Sequence, residues 1–474
     1  MNLMQKVNSI SQVGSLRQIY INTFDDGSGY VFNPENPFGV KYLSKQALSL
    51  YNDMIGEYGN PPIIESPNVI EKQFIAQGLA SSPNSVFELA KKPKKALTVW
   101  YHISNACNLS CQYCYIPKLM KAVDLNNMEK FFMSSETTKI STDSLFKYCL
   151  SAGITHLQMK FAGGEPTLNT DLIEQTCKYA LDKSEETGVK VGFRILTNGV
   201  FINNDIYDIF KKYKFGVSIS IDGDKNRHDE IRFTIPKSRV LENDEKYKKG
   251  TWDVISDNID KLLSLGIKPY ILCTVTQKNY KYLMNLVEFC VSKKIGFRLS
   301  PVRDNKTHLL PNLQEDMLQQ LIRIYDWLGD NLPITMPLER FARFAEWNLL
   351  VKKQIVCGTC KSMMSIDQNG NVGSCQMRMD KVFGNVNNQT LSEIVNAIQS
   401  DESNKYIVNP NEKTQDCVTC FWRYTCAGGC PEHTRNAIGT TNSPSPWCHL
   451  YQELLPYYIR SIAKQYKRAS EISK

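Results

Sequence analysis

The chain has 474 residues, 42% of them apolar, enough for a real core and for two or three domains, so a disordered or fibrous protein is excluded. Its formal charge of +8 is scattered, with basic runs no longer than KKPKK and KYKKG, so these read as solvated loops and no nucleic-acid partner is expected. No run approaches the roughly 18 apolar residues of a membrane helix, and MNLMQKVNSISQ lacks the apolar region of a secretion signal, which implies a cytoplasmic protein without a membrane partner.

Residues 16 to 80 read as a small α/β module. RQIYINTF and GYVFNP alternate apolar and polar residues around DDGSG, a hairpin turn. LSKQALSLYNDMIGEYG has helical periodicity, a Ser near its start and a terminal Gly, and a second helix follows from about Asn68 to Gly78. The polar stretch 80–96, with two prolines, suits a linker.

Six β-rich runs then alternate with helical stretches: LTVWYHIS (97–104), HLQMKFA (156–162), GFRILT (192–197), GVSISI (216–221), PYILCTV (269–275) and GFRLSPV (296–302). This is the rhythm of parallel βα units, and six of them make a partial (β/α)6 barrel. Chemical motifs follow the first four runs, where parallel barrels carry their chemistry. From about residue 350 the rhythm stops and eight cysteines appear within a hundred residues, which reads as a separate metal-stapled domain. The tail LYQELLPYYIRSIAKQYKRAS is an amphipathic basic helix, expected to pack by its apolar face. The expected organisation is α/β: a small N-terminal module, winged-helix-like, with its linker (1–95), the partial barrel (96–349), and a cysteine-rich iron–sulfur domain with a terminal helix (350–474).

Fifteen cysteines in an unexported chain point to metal or catalysis, because thiols stay reduced there. Cys107, Cys111 and Cys114 form C-x3-C-x2-C, a set of three that suits a four-iron cluster left one ligand short. The alternative is a zinc knuckle, whose C-x2-C pairs have a partner pair or histidines close by, and none follows within thirty residues. After the second run come Gly163, Gly164, Glu165 and Pro166, a turn whose glycines permit close backbone approach and whose carboxylate can take an ammonium group. Thr197, Asn198 and Gly199 end the third run, and Ser220, Asp222 and Gly223 the fourth; Asn-Gly and Asp-Gly are also ordinary turn formers. Farther on stand C-x2-C at 357 and 360, Cys375 after DQNGNVGS, and C-x2-C-x5-C-x3-C from 417 to 430 with Cys448 beyond. The remaining Cys149, Cys177, Cys273 and Cys290 sit in apolar contexts and read as buried small hydrophobes.

Over about residues 97 to 450 this series of motifs resembles the radical S-adenosylmethionine (SAM) enzymes with a SPASM extension. The resemblance implies three [4Fe–4S] clusters and SAM, which chelates the open iron of the first cluster and is cleaved to a 5'-deoxyadenosyl radical. Cys107, Cys111 and Cys114 would hold that cluster, with Tyr113 near the adenine or simply covering the cluster from water. Gly163, Gly164 and Glu165 would take the cofactor's ammonium, and Asn198 and Ser220 would contact its ribose and carboxylate. Arg232 is a candidate partner for the carboxylate, with Arg239 as its rival. By the family's interleaved pattern Cys357, Cys360, Cys375 and Cys430 would hold one auxiliary cluster, and Cys417, Cys420, Cys426 and Cys448 the other. Zinc is the alternative for this region, with His433 and His449 as extra ligands. No catalytic acid or base is identified.

SPASM proteins mostly act on peptides or proteins, so the enzyme readings are a maturase of ribosomally made peptides and a sulfatase-type maturase. Two features favour the first. About a hundred residues precede the first cysteine, and their hairpin and helices resemble the PqqD-like module that takes a leader peptide as an added strand, a purely structural cap being the alternative. The sulfatase group also has a basic aspartate directly after the cysteine matching Cys375, where this chain has Gln376, an amide that cannot take up a proton; Asp380 is nearby. The expected function is therefore radical installation of a carbon–carbon, ether or thioether cross-link in a precursor peptide, with flavodoxin or ferredoxin as electron donor. Sulfatase-type maturation or another protein dehydrogenation is the alternative, and a non-catalytic peptide-binding iron–sulfur protein is the reading of another class.

Overall fold

The computed structural model describes residues 19–34, 39–60, 62–81, 95–116, 131–234, 250–303, 311–408 and 413–472. Arg239, most of the expected linker and most of the insertion FTIPKSRVLENDEKYKKG lie outside the described residues.

The N-terminal hairpin forms as its alternation requires. Strands β1 (Tyr20–Thr23) and β2 (Gly29–Phe32) pair antiparallel, and a third strand, β3 (Val40–Leu43), which the sequence did not suggest, pairs with β2. Side chains alternate between the faces of such a sheet. Tyr20, Tyr30, Phe32 and Val40 join the main core, while Ile19, Val31 and Leu43 pack with Leu48, Tyr51 and Met54 of the helix Lys45–Tyr58. That helix is capped by Ser44, whose hydroxyl accepts from Ala47 N at 3.3 Å. The second helix, Val69–Ala76, opens on a capping box between Asn68 and Glu71. Trp422 from the cysteine-rich region lies against Tyr20 and Phe32, with ring centroids 5.6 and 6.4 Å apart.

All six expected runs are strands: β4 (Ala96–Ser104), β5 (His156–Gly163), β6 (Lys190–Thr197), β7 (Gly216–Ser220), β8 (Tyr270–Val275) and β9 (Gly296–Pro301). They pair in parallel in sequence order. Helices such as Ser135–Ser151, Thr170–Thr187 and Thr251–Ser264 return the chain between them. Both edges are extended. β10 (Ala342–Phe344) pairs parallel with β9, and β11 (Met363–Ile366) pairs parallel with β4 and leads into antiparallel β12 (Asn371–Gly373) and β13 (Gly384–Asn385). The cysteine-rich region therefore continues the barrel sheet through β11, with Cys357 and Cys360 before that strand and Cys375 after β12.

The terminal helix, Cys448–Ile472, buries Leu450, Leu454, Leu455, Tyr458, Ile459 and Ile462, the apolar stripe expected of it. Tyr458 meets Tyr325 of the helix Pro311–Asn331 edge to face at 4.8 Å, and Lys464 bonds Asp326 and Asp330 of that helix at 2.8 and 2.9 Å. Cys149, Cys177, Cys273 and Cys290 are all buried, as expected. Among the described residues no helix is long and apolar enough to cross a membrane.

Candidate functional site

A cavity of about 770 Å³ opens over the carboxyl ends of the strands, between the loop after β4 and the cysteine-rich region. Cys107, Cys111 and Cys114 line it on one side, and Gln376, Asp380 and Glu432 on the other.

The loop after β4 is seated on the turn after β5. Gly164 N donates to Ser104 O and Glu165 N to Ala106 O, each at 2.7 Å. The approach is so close that a Cβ on Gly163 would lie 1.9 Å from Ser104 O, and one on Gly164 2.1 Å from Ala106 O. Gly163 also holds φ at +121°. The glycine pair is thus demanded by backbone-to-backbone packing that places Cys107, and it leaves Gly163 and Gly164 on the cavity wall.

Glu165 behaves differently from the expectation that its carboxylate faces a ligand. It is fully buried and lies behind the wall. Oε1 accepts from Thr167 N at 3.1 Å and from the hydroxyls of Thr167 and Thr197, each at 2.7 Å, while Oε2 accepts from Asn198 N at 2.7 Å. With four donors supplied by its own fold, the carboxylate ties the ends of β5 and β6 together. Burial pushes its pKa up, and these donors pull it back.

Asn198 turns its side chain toward the cysteine loop, donating from Nδ2 to Asn108 Oδ1 at 2.7 Å, with Cys107 Sγ 3.9 Å away. Ser220 lies on the cavity wall at the end of β7. Tyr113, Asp222 and Arg232 form one buried group. The Tyr113 hydroxyl donates to Asp222 Oδ2 at 2.5 Å, Arg232 Nη1 reaches the Tyr113 oxygen at 2.5 Å and Asp222 Oδ2 at 3.4 Å, and Thr274 N donates to Asp222 Oδ1 at 2.8 Å. Burial pushes the Asp222 carboxyl up and the Arg232 guanidinium pulls it back. Tyr113 and Arg232 both line the cavity, so the structure brings together all the expected contacts except the Glu165 carboxylate.

The eight later cysteines separate into two neighbourhoods. Burial, then the charges of Cys430 and Cys357, push the Cys375 thiol up, and burial, Glu432 and Cys357 push Cys360 up. Burial, Cys420, Cys448 and Cys417 do the same to Cys426. Cys357 and Cys430 thus lie near Cys375, and Cys417, Cys420 and Cys448 near Cys426, neighbours that the interleaved pattern also groups together. No three His, Cys, Asp or Glu side chains among the described residues close on a single metal ion. His433 stacks on Trp447, ring centroids 5.8 Å apart. Thiols crowded in buried sets bind a polynuclear cluster well, because each thiolate meets its own iron and the iron charge offsets a repulsion that would otherwise keep the thiols protonated.

Some lining residues were passed over in the sequence. His102 on β4 is buried, and burial holds its pKa down to about 4. Arg298 and Ser300 of β9 also face the cavity. Their signal was the polar residue at every second position of GFRLSP, in a strand otherwise buried.

Two family models match the chain: the Radical SAM superfamily over residues 101–290, and the SPASM iron–sulfur cluster-binding domain over 357–421. A cysteine-type anaerobic sulfatase-maturating enzyme of Clostridium novyi is 25% identical over 76% of this chain and 94% of its own length. The radical SAM cyclopropyl synthase TigE of Paramaledivibacter caminithermalis is 21% identical over 69% of this chain and 66% of its own. Among solved structures, native anSMEcpe with bound AdoMet superposes with a TM-score of 0.59 at 20% identity, covering 78% of this chain and 99% of that one. That match shows the shared fold.

Proposed function

This chain is a radical SAM enzyme with a SPASM domain, and we propose that it is a maturase that removes two hydrogens from one residue of a peptide or protein chain. The observation that carries this reading is the single cavity walled on one side by Cys107, Cys111 and Cys114 and on the other by residues that follow Cys375 and Cys430. A substrate residue held there touches both cysteine regions at once. The cofactors, when bound, supply the hydrogen-abstracting radical and an acceptor for the remaining electron. Cys107, Cys111 and Cys114 would hold the SAM-binding cluster, and the two groups of four the auxiliary clusters. Arg232 offers positive charge to a carboxylate, Gly163 and Gly164 offer backbone, and Asn198, Ser220 and Tyr113 complete the cofactor's wall.

The sequence by itself ranked a cross-linking peptide maturase first. The curated relatives favour the sulfatase-maturating alternative, since such an enzyme aligns over nearly its whole length. We therefore place first the oxidation of a serine side chain to an aldehyde, or of a cysteine side chain to a thioaldehyde that water then hydrolyses to the aldehyde with release of hydrogen sulfide. Gln376 departs from that group, and Asp380 lies on the same cavity wall. Cross-linking of a precursor peptide is the second reading. It is favoured by the N-terminal sheet, whose two faces are covered and whose β1 edge has no paired strand among the described residues. A cytoplasmic location and a flavodoxin or ferredoxin donor go with either reading.

The test uses anaerobically reconstituted protein, SAM, dithionite and a pool of peptides with a central Cys or Ser and randomised flanks. Products that react with a hydrazide, absent with a Cys107, Cys111, Cys114 triple alanine variant, are expected for aldehyde formation. Loss of two hydrogens with no hydrazide-reactive product would move cross-linking to the front. SAM cleavage with no peptide changed would count against both.

A further inference from the structure

One wall of the cavity carries chemistry that the cofactor contacts leave unused. Arg298 and Ser300 stand two residues apart on β9, hence on one face of the strand, and both line the cavity. Arg298 Nε and Ser300 Oγ are buried with no hydrogen-bond partner among the described residues. The other arginines of the wall are engaged. Arg232 bonds Tyr113 and Asp222, Arg303 pairs with Glu346, Arg378 bonds Asn404 and Ser403, and Arg435 pairs with Glu432.

Charge around Arg298 is out of balance. Burial works against its charge first, Arg303 and Arg343 add to that, and Glu346, with Tyr270 after it, favours it, while Glu346 is already held by Arg303. A guanidinium withdrawn from water without an acceptor is costly, and a carboxylate placed against it relieves that cost through charge-assisted hydrogen bonds. The location separates it from the cofactor contacts. Cys111 acts on Arg232, whereas Cys430 acts on Arg303, the neighbour of Arg298. Arg298 therefore belongs to the half of the cavity that faces the cysteine-rich region.

We propose that Arg298 and Ser300 form a carboxylate subsite that holds an Asp or Glu side chain of the substrate, at a fixed offset from the residue being oxidised. The proposal rests on the maturase reading and adds to it a sequence requirement. The guanidinium takes the carboxylate and the Ser300 hydroxyl donates a further bond.

The test offers the same randomised peptide pool to immobilised, cluster-loaded, full-length protein. Retained sequences are read by mass spectrometry before turnover, and modified sequences after SAM and dithionite are added. Expected is enrichment of Asp or Glu at one offset from the central residue. With Arg298→Met the retention of those acidic peptides should fall roughly ten- to hundredfold, the loss of a charge-assisted bond. Arg298→Lys should keep part of the preference, and Ser300→Ala should weaken it less than Arg298→Met does. Iron content and the thermal midpoint report whether each variant folds. Modified peptides with no acidic preference would overturn the subsite while leaving the maturase reading standing. Acidic peptides retained through Arg298 but never modified would do the reverse. Weaker SAM binding by Arg298→Met, as large as that caused by Arg232→Met, would assign the carboxylate to the cofactor and overturn the substrate subsite.

Discussion

Replacing Gly164 by alanine tests how the cysteine loop is held. The added Cβ would lie 2.1 Å from Ala106 O, where real contacts do not fall below 3.0 Å, so the loop must retreat by about 1 Å. Glu165 N to Ala106 O, now 2.7 Å, would then exceed hydrogen-bonding range. Overpacking of this kind costs about 1–3 kcal/mol. Losing the bond and leaving a buried carbonyl short of a donor adds about 1–3 kcal/mol, so a destabilisation of about 2–6 kcal/mol is expected. Cys107 follows Ala106 directly and moves with it, so the first cluster should load poorly while the auxiliary clusters load normally. The assay is iron and sulfide content after anaerobic reconstitution, together with the denaturant midpoint. Gly56→Ala is the matched control, because Gly56 lies inside the helix Lys45–Tyr58 with nothing within 4 Å of the new Cβ. That change should stabilise by about 0.5–1 kcal/mol through helix propensity. Full iron content and an unchanged midpoint in Gly164→Ala would refute the claim that backbone packing positions Cys107.

Two further outcomes follow from the buried groups. His102 stays neutral because burial holds its pKa down to about 4, below the roughly 6.5 of an unfolded chain. The unfolded state therefore binds the extra proton first as pH falls. Stability should drop by about 2 kcal/mol between pH 7 and 5 on this account, and denaturation of His102→Gln should lack that part of the decline. The two cysteine neighbourhoods predict a pattern of non-additivity. Cys375→Ala and Cys430→Ala together should lose no more iron than either alone, whereas Cys375→Ala with Cys426→Ala should lose the iron of both auxiliary clusters. Additive iron loss within one group would break the assignment.

The six parallel strands were legible because apolar residues recur at every second position in short β-rich runs, with one face buried more fully than the other, and the motifs were legible because thiols and glycines at fixed spacing have few other uses. β3, β10 and β11 were not legible. Each has four residues or fewer, and β11 finds its partner more than 250 residues away in β4, a pairing that no local pattern encodes. The same divide runs through the site. Sequence alone named the cysteine set, since ligand chemistry depends on residue type and order, while its division into two groups of four came from the resemblance to the SPASM family. It could not tell that the Glu165 carboxylate is consumed by Thr167, Thr197 and Asn198, or that Arg232 meets Tyr113 across 119 positions. Nor could it single out Arg298 among the chain's arginines. Whether a charged group is satisfied or left facing a cavity depends on which donors and acceptors the folded chain brings within about 3 Å of it, and only the tertiary structure decides that.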